Sequence, residues 1–136
     1  MDADTPAFDR LRLAAAAQPE PQRLLFVFAA SELPDDADAA QRAAFAAGRG
    51  GALAPLMCVD KAPEELGSFA TLCAESAEAG PPWQVLFAAG LAGQRGAPPD
   101  AAQVERGLQL MVERVRQGRL DGLLALDREG RMLRFA

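Results

Sequence analysis

The run RLLFVFAA, Arg23–Ala30, decides the fold. It is short, nearly unbroken in apolar character and rich in strand-forming residues, the pattern of a strand buried on both faces. Upstream of it, Thr5-Pro6 reads as an N-cap followed by a first-turn proline. Phe8, Leu11 and Ala15 then recur at helical spacing until Pro19 and Pro21 stop the helix. Downstream, Asp35, Asp36 and Asp38 precede an alanine-rich stretch containing Phe45, a second helix that Gly48–Gly51 should end.

The next apolar run, ALAPLMCV (Ala52–Val59), predicts a second strand. Pro55 cannot donate to a ladder, which either places this strand at a sheet edge or delays its start to Leu56. Pro63-Glu64-Glu65 opens a third helix with Leu66, Phe69, Leu72, Cys73 and Ala77 on one face, closed by Gly80-Pro81-Pro82. WQVLFAA (Trp83–Ala89) is a third strand, with Trp83 as a partly buried cover. A glycine-rich loop from Gly90 to Pro99 leads to Asp100, the N-cap of a last helix. That helix has the clearest period in the chain, Val104, Leu108, Met111, Val112 and Val115, with Gly118 as its C′ residue. Leu120–Leu126, Asp127-Arg128-Glu129-Gly130 and Arg131–Phe135 have the form of a β-hairpin. The expected fold is one α/β domain over residues 1–136, in the order α-β-α-β-α-β-α-β-β. Such alternation implies crossover connections and a mostly parallel or mixed sheet, with the hairpin supplying an antiparallel strand.

Composition narrows the chemistry. The chain has 136 residues, half of them apolar, enough for a packed core without disulfides or metal. Its net charge of −5 argues against nucleic acid and anionic membrane surfaces as partners. Arg114, Arg116 and Arg119 read as the solvated side of a helix. No apolar stretch is long enough to span a bilayer, and Asp2, Asp4 and Asp9 stand where a signal peptide carries positive charge, so a cytoplasmic location is expected. There is no histidine, which removes Ser-His and Cys-His catalysis and every histidine-containing metal site. No metal site and no cofactor is expected. Cys58 and Cys73 lie in apolar runs without a CxxC arrangement and read as reduced, buried thiols.

If the first three strands are parallel, their C-terminal ends line one sheet edge, where open α/β sheets bind ligands. The residues just after them are Ser31 and Glu32, Asp60 and Lys61, and the Gly90–Gly96 loop. Gly90, Gly93 and Gly96 offer backbone N–H groups to an anion, Arg95 adds charge, and Lys61 is the one lysine among fourteen basic residues. The glycines are three apart with no Lys-Ser/Thr following, so this is neither a Walker A loop nor GxGxxG, and the loop also reads as a plain surface connection. Strand alternation places Cys58 and Asp60 on one face with Lys61 on the other.

The runs QPEPQRLLFVFA (Gln18–Ala29) and GGALAPLMCVDK (Gly50–Lys61), with the closing LDREGRMLRF, resemble a small family of proteobacterial proteins of about this length. Some members carry the label of a ribonucleotide reductase alpha subunit. That enzyme is a far larger barrel with a redox cysteine pair and a radical cysteine, and none of its catalytic residues maps onto this chain. The resemblance therefore implies no mechanism. Two readings follow. The first is a non-catalytic module that binds a protein partner or a second copy of itself, for instance through the alanine-rich second helix. The second is a site for an anionic small molecule, binding or enzymatic, built from Asp60, Lys61, Gly90, Gly93, Arg95 and Gly96.

Overall fold

The computed structural model describes residues 5–33, 36–46 and 52–134. The elements follow the expected order as far as the first strand of the C-terminal hairpin: α1 (Ala7–Ala16), β1 (Gln22–Glu32), α2 (Ala39–Ala46), β2 (Ala52–Lys61), a separate 3₁₀ turn (Pro63–Glu65) where the third helix was expected to open, α3 (Phe69–Ala79), β3 (Val85–Ala92), α4 (Ala101–Arg116) and β4 (Leu124–Leu126). The Gly48–Gly51 terminator expected for α2 lies outside the described residues. At α1, Pro6 rather than Thr5 takes the N-cap position, without a side-chain cap bond.

The four strands lie in the order β2-β1-β3-β4. Every pairing is antiparallel, which overturns the expectation of a mostly parallel or mixed sheet. The physical reason lies in the connections. A helix between two strands implies a crossover only if it carries the chain back along the sheet, and α2, with 8 residues, covers only about 12 Å. The 11 residues of β1 run about 36 Å. The chain re-enters at the end where it left, and β2 returns antiparallel. A true crossover does connect β2 through α3 to β3, and those two strands run in the same direction. They do not pair, because β1 lies between them. This is a split β-α-β arrangement.

Leu24–Ala29 are all at most 4% exposed, so β1 is buried on both faces. Leu24, Phe26 and Phe28 meet Phe8 of α1, Leu66 and Leu72 on one face. Leu25, Val27 and Ala29 meet Val104, Met111 and Val115 of α4 on the other. Helices on both sides make three layers. Trp83, 3% exposed, is a core residue rather than a partial cover. Its Nε1 donates to Ser76 Oγ at 2.8 Å, and its ring stands edge-on to Phe28 with centroids 5.1 Å apart. Asp100 caps the α4 N-terminus as expected, in a capping box that Gln103 completes, and Gly118 follows the C-cap with φ +72°.

Pro55 sits on the sheet edge, and the β1–β2 register shifts opposite it, between Phe28 and Ala29. Of the two outcomes the proline allowed, the edge position is the one realised, with the strand starting at Ala52. The C-terminal hairpin closes its turn, where Asp127 Oδ1 accepts from the Glu129 and Arg131 N–H groups. Among the described residues its return strand amounts to one bridge, Leu126 to Met132, with bonds from Asp127 N–H to Arg131 O and from Leu133 N–H to Ala125 O. Arg131 and Met132 are exposed, so the return strand has little apolar surface to bury. Phe135 lies outside the described residues.

Candidate functional site

Because β2 and β3 point the same way, their C-terminal ends do emerge together, at the end where β1 begins. Lys61 and Gly90 flank Leu24 from opposite sides. Ser31 and Glu32 lie at the far end, because β1 runs against its two neighbours.

The glycine-rich segment is shorter than the sequence suggests, since β3 continues to Ala92 and takes in Gly90. Beyond it, Gln94 and Ala97 exchange both backbone hydrogen bonds at 3.0 Å. Between them Arg95 and Gly96 have φ +54° and +79°, the pattern of a tight I′-type hairpin turn. The Gly93 N–H donates to Pro21 O at 2.8 Å, and the Gly96 N–H to Glu20 Oε2 at 2.8 Å. Two of the three amides that the sequence offers to an external anion, those of Gly93 and Gly96, are thus engaged by the chain's own oxygens. A Cβ on Gly93 would stand 2.9 Å from the Ala97 carbonyl carbon and from Pro98 Cα, so close backbone approach explains this glycine.

Lys61 points to the α3 face, where its Nζ lies 3.1 Å from Glu75. Asp60 points to the α4 face and is held by Arg23. Asp60 Oδ2 accepts from Arg23 Nε at 3.0 Å and Nη2 at 2.5 Å, and Arg23 Nη1 reaches Glu65 at 2.9 Å. The hydrogen bond that Arg23 donates to Asp60, with the charges of both carboxylates, raises the Arg23 pKa above its ordinary value.

A concavity lies beside this pair. It is a groove of about 840 Å³ between the flank of α4 and the open part of β2. Cys58, Asp60 and Arg23 form its floor, while Val104, Leu108 and Val112 form its apolar wall. Pro98 and Pro99 close one end, and Glu105, Glu113 and Arg116 stand at the rim. Cys58 is exposed here, which corrects the expectation of a buried thiol: on an edge strand, α4 does not extend over it. Cys73 packs against the core of the opposite face, and burial pushes its thiol pKa up. The sheet separates the two thiols. Among the described residues, no group of three or more His, Cys, Asp or Glu could hold a metal ion, and no helix is long and apolar enough to cross a membrane.

Of the six residues singled out in the sequence, Asp60 alone lines the groove. Lys61 faces the other layer, and the remaining four belong to β3 and the turn that follows it. Arg23, Glu105, Leu108 and Val112 were missed. One signal was available: Leu108 and Val112 widen the apolar stripe of α4 beyond the fully buried Val104, Met111 and Val115. Fold and site together define a three-layer α/β/α domain with an all-antiparallel sheet and a groove along one edge strand. The chain matches no known family model, curated protein or solved structure.

Proposed function

We propose that this chain is a non-catalytic, cytoplasmic binding module whose site is the groove between α4 and β2. The observation that carries the reading is the groove itself: about 840 Å³, with an apolar wall and a polar end. Sites for ligands typically have roughly 300–1,000 Å³ and this mixture of many apolar and few polar groups. Both arginines around it are already held by carboxylates, Arg23 by Asp60 and Glu65, Arg116 by Glu113. Such pairing suits recognition better than proton transfer, which requires a group poised to change its charge.

Cys58 makes the test direct. In a Cys73→Ser background, an environment-sensitive dye on Cys58 reports on groove occupancy. Titration with a panel of apolar amines, acids and neutral fragments should give a saturable signal that Leu108→Glu abolishes while the far-UV spectrum is unchanged. A flat response to the whole panel and to extended peptides alike would refute the groove as a binding site. Turnover of any compound in a metabolite screen would refute the non-catalytic part.

A second reading keeps an anionic small molecule at the sheet end, where Asp60, Lys61 and Gly90 lie close in register. It is the weaker reading, because Glu20, Glu64 and Glu65 border the smaller cavity at that end and would repel an anion. Titration with inorganic phosphate separates the two. Saturable amide shifts confined to Lys61 and Gly90–Gly96 would establish the second reading, and unmoved amides are the expected result.

A further inference from the structure

We infer that the occupant of the groove is an extended segment of a partner protein, added to β2 as a further strand, apolar at alternate positions and carrying Lys or Arg at the end nearest Asp60. This rests on the groove being the binding site and adds the class of its occupant.

Three observations support the inference. The first is length. The groove is lined along α4 from Ala101 to Arg116, about 22 Å at the helical rise. That is long for a compact metabolite and matches about seven residues of extended chain.

The second is the free edge. Among the described residues β2 pairs only with β1, so its outer backbone groups form an open template. Pro55 and the irregularity at Leu56 spoil the first half of this edge, while Met57–Lys61 continues regularly beside the groove. Alternate side chains of an added strand would lie on the same face as Cys58 and Asp60, against Leu108 and Val112.

The third is charge. Both arginines at the groove are engaged by carboxylates. Glu105 has no partner among the described residues, and Asp60 uses only Oδ2 to hold Arg23, leaving Oδ1 free. The charge left over at this end is negative, so the complementary partner is cationic.

The test is selection of random decapeptides displayed on phage against the intact protein. Enriched sequences are expected to alternate apolar residues and to carry Lys or Arg near one end. A synthetic peptide of that sequence should slow hydrogen exchange of outward-facing amides within residues 57–61. Its affinity should fall at least tenfold for Glu105→Lys and recover when the peptide's basic residue is exchanged for Glu. That recovery distinguishes charge recognition from a folding defect. Enrichment of acidic motifs, of helix-spaced motifs or of nothing would overturn the inference, as would concentration-dependent protection of the same edge in the protein alone, which would make a second copy the occupant. If fragments quench the Cys58 dye while no extended peptide is selected, the groove stands and the strand falls. If the dye is silent to both, both readings fall.

Discussion

Gly93→Ala tests whether the glycine-rich segment is built for its own backbone. A methyl group there falls within the van der Waals envelope of the Ala97 carbonyl and stands 2.9 Å from Pro98 Cα. The obstacles are backbone atoms held by the Gln94–Ala97 pair and the adjoining prolines, so they cannot swing aside like a side-chain tip. Overpacking of this kind costs about 1–3 kcal/mol, and the upper end is expected here. At roughly 3–4 °C per kcal/mol for a domain of this size, the melting temperature should fall about 10 °C. Gly96→Ala is the internal control. Its φ of +79° is unfavourable for alanine, but no atom lies within 4 Å of the new methyl, so the cost is confined to about 1 kcal/mol of backbone strain. Thermal unfolding followed by the fluorescence of Trp83, the single tryptophan, reads both variants. A Gly93→Ala protein melting within 2 °C of the parent, a margin of about 0.5 kcal/mol, or above the Gly96→Ala protein, would refute the close-approach argument.

Further outcomes follow from other parts of the structure. Ser76→Ala removes the acceptor of the buried Trp83 N–H and should cost about 1–3 kcal/mol in urea unfolding, with a shift in Trp83 emission in the folded state. Cys58 should react with a thiol reagent well before Cys73 at neutral pH, because Cys58 is exposed and burial raises the Cys73 thiol. The raised folded-state pKa makes the Cys73 contribution complete below the ordinary thiol pKa of about 8.5 and lost as pH rises through the folded value. Cys73→Ala should therefore flatten the alkaline limb of a stability–pH profile. Asp127 runs the opposite way. Backbone N–H bonds, chiefly from Arg131, lower its pKa, so its contribution is present above the unfolded value of about 3.9 and is lost as pH falls through the folded value. Asp127→Ala should flatten the acid limb in denaturant titrations, and an unchanged limb would show that the turn does not depend on that carboxylate.

Much of the local structure was legible because its causes are local. The unbroken run Leu24–Ala29 announced a strand covered on both sides, Pro55 allowed an edge strand, and Asp100 marked the start of α4. The alternation that separates Cys58 and Asp60 from Lys61 also followed from strand geometry alone. The candidate site was far less legible. Arg23 reads as the polar start of an apolar run until β2 sets Asp60 beside it, 37 positions later in the chain. Gly93 and Gly96 read as free donors until Pro21 and Glu20 are seen to accept from them.

The sequence by itself determined most of the segments that form helices and strands and their order, since propensity, period and capping act over a few neighbouring residues. Only the tertiary structure decided strand direction and neighbourhood, because β1 entering between β2 and β3 depends on where each connection returns the chain. That choice placed β2 at an edge, left Cys58 open to solvent and created the groove beside α4. The groove arises from what the layers leave uncovered, a property of packing over the whole chain that no single segment encodes.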